Sequence, residues 1–530
     1  MPSAEVFCYS PVRSKTRRGE LEPAATCVEP NRETQLPAAA RSWRQTCRNH
    51  AYILPSIFLS LIVCAWFVTW GDWKFFEPED FCGFYDAQAR SLIEGRLDVP
   101  LAAIGNEAYT FQGKTYGYFG IGPALLRIPL VLASAKMDGL WSRMMMMIAC
   151  AINLICIYRI MRLIRGDEPV SRRSQRLLHS LFMLCAGIGS TNIFMLGRSF
   201  TYHEAIMWAG TFALLFTWAL IKYLARPGYG SLALASLFAF MSFHCRQTVG
   251  AGVLMILCVL GAILIWRTIA KPEAGHAFLA FAPIAKPLRH ALIAIFAVLL
   301  ILGTSFGLNY AKFRTFNAIP VQYYNCYHEI PNRMRVTGGR QIHPENIPTA
   351  LASYFGPNGI TFDRNFPWVR MPRETSMVGS PAIDVIESFS SVPVSMPALL
   401  LLAVAGCTPL VSGSREMIRR ARLPALALLF GGGIILATVG ITERYLHDFY
   451  PALILFAAVG ISRIEVEKCL WRGTTIMGVL TIISIYINCS FSFVHQRTTS
   501  GAPLAKRVEF RHIQHTFYEL TRGRWTTHGS

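Results

Sequence analysis

The feature that most constrains this chain is a recurrence: from Ala51 to Phe493, apolar runs close to the ~20 residues needed to cross ~30 Å of hydrocarbon follow one another with short polar breaks. We read about eleven of them from that length: Ala51 to Trp70, Leu140 to Met161, Leu177 to Leu196, Ala205 to Leu224, Ser231 to His244, Val249 to Trp266, Ala291 to Ala311, Pro397 to Val411, Leu423 to Ile441, Phe449 to Ile464 and Thr474 to Phe493. A soluble fold has too little polar surface here, since 53% of residues are hydrophobic and only 15% charged. The expected fold is an all-α integral membrane protein, a polytopic bundle of about 11 helices by the same length rule, with interfacial helices in its first outer loop and a long irregular outer loop.

The formal charge of +20 would suit nucleic acid, but the Lys and Arg residues cluster at the ends of apolar runs. No aromatic-basic module or zinc spacing accompanies them, so no nucleic-acid partner is expected. Basic stretches recur in every second connection, at Arg159 to Arg176, Arg267 to Arg289, Arg415 to Arg422 and Lys468 to Arg472. Those connections and the basic segment 1–50, which is expected to be disordered, belong on the cytoplasmic side. The opposite side then receives two large insertions, 71–139 and 312–396, and the tail 494–530, in which Val508 to Leu520 has the periodicity of a surface helix. The 14 cysteines contain no metal spacing; Cys82 and Cys326 both fall in outer loops and are the one candidate pair.

The first insertion is rich in chemistry. From Asp80 to Glu94 the apolar positions fit a helix lying at the interface, with Asp86, Arg90 and Glu94 on another face and Gly95 as its stop. A second amphipathic segment, Ile121 to Ala135, follows a turn at Gly113. The long insertion lacks strand alternation and is expected to be an irregular lid with short helices.

These segments carry a resemblance. "FYDAQARSLIEGRLDVP" followed by "EAYTFQGKTYGYFGIGPALLRIP" resembles bacterial integral-membrane glycosyltransferases of the type C fold, among them protein O-mannosyltransferases, aminoarabinose transferases of lipid A and a large uncharacterised group. "GLNYAKFRTFNAIPVQYY" is similar to that group's "NYxRFG" turn, and "ITERYLHDFYPALIL" to its "RYxxDFxP". Arg314 and Thr315 stand where the group has a glycine, so the turn there departs from its pattern. The motifs keep their order over 51–493.

The resemblance implies a single-displacement, inverting transfer of a sugar from a polyprenyl-phosphate donor to an envelope glycan, lipid or protein on the outer face of a bacterial inner membrane. The lipid-linked donor is a substrate, no cofactor is required, and no acidic cluster has divalent-metal spacing. A carboxylate must take the acceptor's proton, a role worth ~10²–10⁴ in rate. Asp86 matches the "YD" of the nearer group, whereas Asp80 matches the aminoarabinose transferases' aspartate when Gly95 is the anchor, and both stay open. The bland readings are an ion pair of Asp86 with Arg90 and a helix cap at Asp80.

For the leaving phosphate the candidates are Arg444 with His447, Lys114 with Tyr116, Arg246 and Lys312, all at outer span ends. Glu79, Tyr118, His203 and Glu204 are candidates for acceptor or sugar, with an Arg198–Glu204 pair as the structural reading of "GRSFTYHEA". A secondary transporter or a flippase of lipid-linked sugars is the alternative, although no inverted repeat is visible.

Overall fold

Uninterrupted apolar runs with proline in the first turn, where its missing N–H costs nothing, fold as the helices Leu54–Val68, Pro287–Phe313, Pro397–Ser412 and Tyr450–Ile464. The computed structural model describes residues 50–79, 81–166, 170–270, 279–317, 319–465, 470–499 and 501–525. It divides into two units, Met1–Ala51 and Tyr52–Ser530. Only the second is described below, and the segment predicted as a disordered tail lies outside the described residues up to residue 49.

Among the described residues, eight helices are long and apolar enough to cross a membrane: Ala51–Val68, Ser142–Arg165, Arg173–Leu196, Thr201–Ala225, Gln247–Ala270, Pro287–Phe313, Glu416–Ala437 and Leu470–Thr498. Tyr229–Cys245, Pro397–Ser412 and Tyr450–Ile464 are shorter apolar helices. Each of the eleven predicted runs is thus helical, while length and composition qualify eight of them as spans. Two differences stand out. The run at 177–196 breaks at Gly189, and Ser190 caps a second piece, Thr191–Leu196, through its hydroxyl and the Asn192 N–H. The helix predicted from Leu423 begins at Glu416, so part of the basic connection is helical.

Burial orders the bundle. Thr201–Ala225 is its axis, with 89% of its apolar window buried, whereas Pro287–Phe313 has 22% buried and lies at the edge. Phe58, Ile269, Leu299 and Ile482 are exposed outward, as residues facing hydrocarbon are. Pro397–Ser412 and Tyr450–Ile464 approach at facing glycines: a Cβ on Gly406 would stand 2.0 Å from the Phe456 carbonyl oxygen, and one on Gly460 2.0 Å from that of Leu402. Small residues that let backbones meet are the usual glue between apolar helices.

Charges segregate to the two ends. At one end Arg165 donates to Glu465 at 2.9 Å, and His179 joins Glu465 to Tyr52. This end carries the connections predicted to be cytoplasmic. At the other lie both insertions. The first contains the helices Phe84–Ile93 and Gly122–Ala133 and, between them, an antiparallel hairpin of Tyr109–Phe111 with Lys114–Tyr116. Gln112 and Gly113 both have positive φ, 49° and 73°, the two-residue turn that matches strand twist. The sequence predicts the turn but not the strands beside it. The second insertion is short helices and two-residue strands; one of these, Val385–Ile386, runs parallel to Gly440–Ile441. The surface helix expected near the C-terminus is present as Leu504–Trp525.

Candidate functional site

The parallel pairing places the central contact of the site. Ile441 accepts from the Glu387 N–H at 2.9 Å, which brings that side chain beside the short helix Glu443–Leu446. Arg444 then grips Glu387 with both arms, at 2.6 and 3.1 Å, while Thr442 donates to the same carboxylate at 2.8 Å. Burial pushes the Glu387 carboxyl up, but Arg444 and Thr442 outweigh it and hold it below the usual range. A fork this close to a carboxylate has the geometry that also accepts phosphate.

Aromatic rings surround the fork. The Arg444 guanidinium lies 4.9 Å over the Tyr202 ring and 5.6 Å from that of Tyr445. Arg246 approaches Tyr445 at 5.2 Å and pairs with Asp448 at 2.9 Å, where Thr248 also donates. Arg444, Tyr445, Tyr202, Tyr118, Arg246 and Glu387 are all half-buried, so the cluster is open on one side. Glu107 completes it: the Tyr324 hydroxyl donates to its carboxylate, and Tyr202 lies near enough for Glu107 to help push its phenol up. Burial and the nearby Glu107 push the Tyr118 and Tyr324 phenols well above their ordinary value. The hairpin holds this side together, since the Tyr109 ring stacks on Tyr324 at 4.7 Å.

A second polar network lies behind the first and is sealed. Arg127, wholly buried in the helix Gly122–Ala133, donates to both oxygens of Glu204 at 2.8 Å and approaches Asp86 at 3.4 Å. Ser142 lies 2.8 Å from Glu204, and the Gly139 N–H donates to Asp86 at 2.6 Å. Burial raises the Asp86 carboxyl in spite of Arg127 and the Gly139 N–H, which pull it down. This corrects two expected pairs. Arg90 binds Asp138 at 2.8 Å and not Asp86, since Asp86 points into the protein. Glu204 binds Arg127 and not Arg198, whose carboxylate neighbour is Glu79 at 3.7 Å.

The remaining sequence candidates divide in the same way. Glu79 accepts from Trp70, Arg143 and Ser199 at 2.8 to 3.0 Å and is enclosed. His203 faces the Met195 and Arg198 carbonyls, and His447 bonds to Thr191 and stacks on Tyr450; both are buried. Lys312 is buried and donates to the Gly117 carbonyl at 3.0 Å, next to Tyr118. Tyr116 packs on Phe313, and Lys114 is exposed at the hairpin turn near Asp98. Cys82 donates to the Gly139 carbonyl, and both it and Cys326 are free thiols. Asp80 lies outside the described residues. Among the described residues, no group of three or more His, Cys, Asp or Glu is placed to hold a metal ion.

The structure therefore unites Arg444, Arg246 and Tyr118 and adds Tyr202, Tyr324, Tyr445, Glu107 and Glu387. Glu107 opens the quoted "EAYTFQ" segment, but nothing in that segment gives it a chemical role, and Glu387 falls in no quoted motif. The one available signal was that both are acidic residues in outer insertions.

No family model matches the chain, and no curated protein matches it significantly. Solved structures do resemble it. The archaeal oligosaccharyltransferase AglB from Archaeoglobus fulgidus, in complex with an inhibitory peptide and a dolichol-phosphate, is similar at 12% identity and a TM-score of 0.46 over 86% of this chain and 57% of that one. An Archaeoglobus fulgidus oligosaccharyltransferase in the apo form gives 11% identity and a TM-score of 0.46 over 87% of this chain and 57% of that one. ArnT from Cupriavidus metallidurans bound to undecaprenyl phosphate gives 11% identity and a TM-score of 0.39 over 80% of this chain and 62% of that one. The chain thus spans less than two thirds of the length of these neighbours. The functional reading below rests on the chain's own site.

Proposed function

We propose that this protein is a membrane glycosyltransferase that moves a sugar from a polyprenyl-phosphate donor to an envelope acceptor on the outer face, inverting the anomeric carbon. The observation that carries the reading is the pair of guanidiniums, Arg444 and Arg246, which lie 5.6 and 5.2 Å from the Tyr445 ring at one end of the bundle. As the glycosidic bond breaks, charge grows on the lipid phosphate, and donors already in place stabilise that charge more in the transition state than in the ground state. Their place at the ends of membrane helices suits a phosphate at headgroup level with its chain in the bilayer. Half-buried phenols beside them offer ring faces and hydroxyls to a sugar.

In this reading Asp86 acts from behind. Enclosed by Arg127 and Gly139, it fixes the interfacial helix on which the outer loop is built, while Asp80 keeps the standing its motif gave it as a base candidate. Bacterial inner-membrane residence and an outward-facing site belong to the same proposal.

The test is transfer from radiolabelled polyprenyl-phosphate sugars into membranes, comparing wild type with Arg444→Gln and Arg246→Gln at matched protein levels. Loss of about 10²-fold or more in the Arg444 variant is expected from removal of one preplaced donor. A wild type that moves none of the mannose, aminoarabinose or arabinofuranose donors overturns the reading in favour of transport.

A further inference from the structure

A lipid phosphate at Arg444 leaves the acceptor's proton to be placed, and the carboxylate on the open side of the cluster is Glu107. It sits at the end of the turn Gly105–Glu107, which leads directly into the hairpin. The Tyr324 hydroxyl donates to one of its oxygens, and Tyr202 lies near the carboxylate too. Tyr202 also carries Arg444 over its ring at 4.9 Å. Carboxylate and guanidinium thus both lie near Tyr202, and the Tyr118 ring stands 6.3 Å from that of Tyr324 in the same cluster. The Asp86 and Glu79 side chains are only 1% and 5% exposed, whereas Glu107 is half-buried; unlike Glu387, Glu107 has no Lys, Arg or His ion-pair partner within 4.0 Å among the described residues.

We propose that Glu107 is the general base of the transfer, an inference that rests on the glycosyltransferase reading above. The acceptor oxygen bonds to the anomeric carbon as the bond from that carbon to the donor's phosphate oxygen breaks. The bonding pair leaves on the phosphate, toward Arg444, and the acceptor's proton passes to the Glu107 carboxylate and from there to water. The Tyr324 hydroxyl aims the carboxylate. The rate contribution expected of such a base is ~10²–10⁴.

The experiment compares wild type, Glu107→Gln, Glu107→Asp, Tyr324→Phe, Asp80→Asn and Asp86→Asn in the same membranes. Two quantities are read: transfer from the labelled donor pool, and binding of a short-chain polyprenyl phosphate to the purified proteins. Gln keeps an oxygen for the Tyr324 hydroxyl, so a structural tie survives that substitution. Expected are a loss of transfer of about 10²-fold or more in Glu107→Gln, partial activity in Glu107→Asp, a smaller loss in Tyr324→Phe, and polyprenyl-phosphate binding within about twofold of wild type in all three. Active wild type with Glu107→Gln transferring within about threefold of it overturns the assignment alone, and selective loss in Asp80→Asn would then name that residue. Absence of transfer by wild type overturns both this assignment and the reading beneath it.

Discussion

Arg444 faces two anions in turn. In the structure its fork is filled by Glu387, whereas the reaction asks it to hold a phosphate. A carboxylate in that place is a competitor, and removing its charge frees the fork. Glu387→Gln is therefore expected to bind a short-chain polyprenyl phosphate about three- to tenfold more tightly, the worth of a partly exposed bidentate pair. Weaker binding, read by calorimetry on the purified protein, would mean that Glu387 orients Arg444 and does not block it. The motif around Arg444 was legible in the sequence as a phosphate candidate. Its partner was not, because Glu387 lies 57 residues away, directly after a strand of two residues, too short to leave any alternation to read. Asp86 shows the reverse: helical spacing put it on a helix, as found, but could not tell a polar face toward water from one turned onto buried Arg127.

Elements were easier to read than their contacts. Each apolar run folded as a helix because ~20 consecutive apolar residues have few other ways to satisfy their backbone in hydrocarbon. The hairpin at 109–116 went unread because only three residues a side alternate, and its signal lies in the Gln112–Gly113 turn. Helix packing depends on single positions. Gly460→Val puts a branched side chain where a Cβ alone stands 2.0 Å from the Leu402 carbonyl oxygen, beyond what small side-chain shifts absorb. We expect a loss of at least 1–3 kcal/mol, as overpacking costs, visible as a lower midpoint of thermal unfolding in detergent. Gly433→Ala, which meets nothing within 4 Å, is the control and should leave that midpoint within about 1 °C.

Across the whole molecule, buried acids make stability depend on pH. Glu443 is enclosed with Ser390 as its donor, and burial pushes its carboxyl up from 4.5 to about 7. The folded state thus binds this proton more tightly than the unfolded chain. Stability from it is complete below about 4.5, and it is lost as pH rises through about 7. Asp86 and Asp448 are raised by burial and act in the same direction. Glu443→Gln should remove its share, on the order of 3 kcal/mol between pH 5 and 8 by the value of a pKa unit. Unfolding midpoints measured across that interval should fall less steeply in the variant than in wild type; equal slopes would mean that Glu443 is reached by water.

The sequence by itself determined that the chain is a bundle of apolar helices, where they lie and which connections are basic, since those properties follow from composition over twenty residues at a time. It also marked Arg444 and Arg246, because charges at span ends stand out against apolar neighbours. Which carboxylate meets which guanidinium was decided only by tertiary structure. Arg127 and Glu204 are 77 residues apart, and Arg246 and Asp448 are 202 apart. No local pattern specifies such pairs; they exist because close helix packing brings distant turns to one end of the bundle, where a buried charge must find its partner.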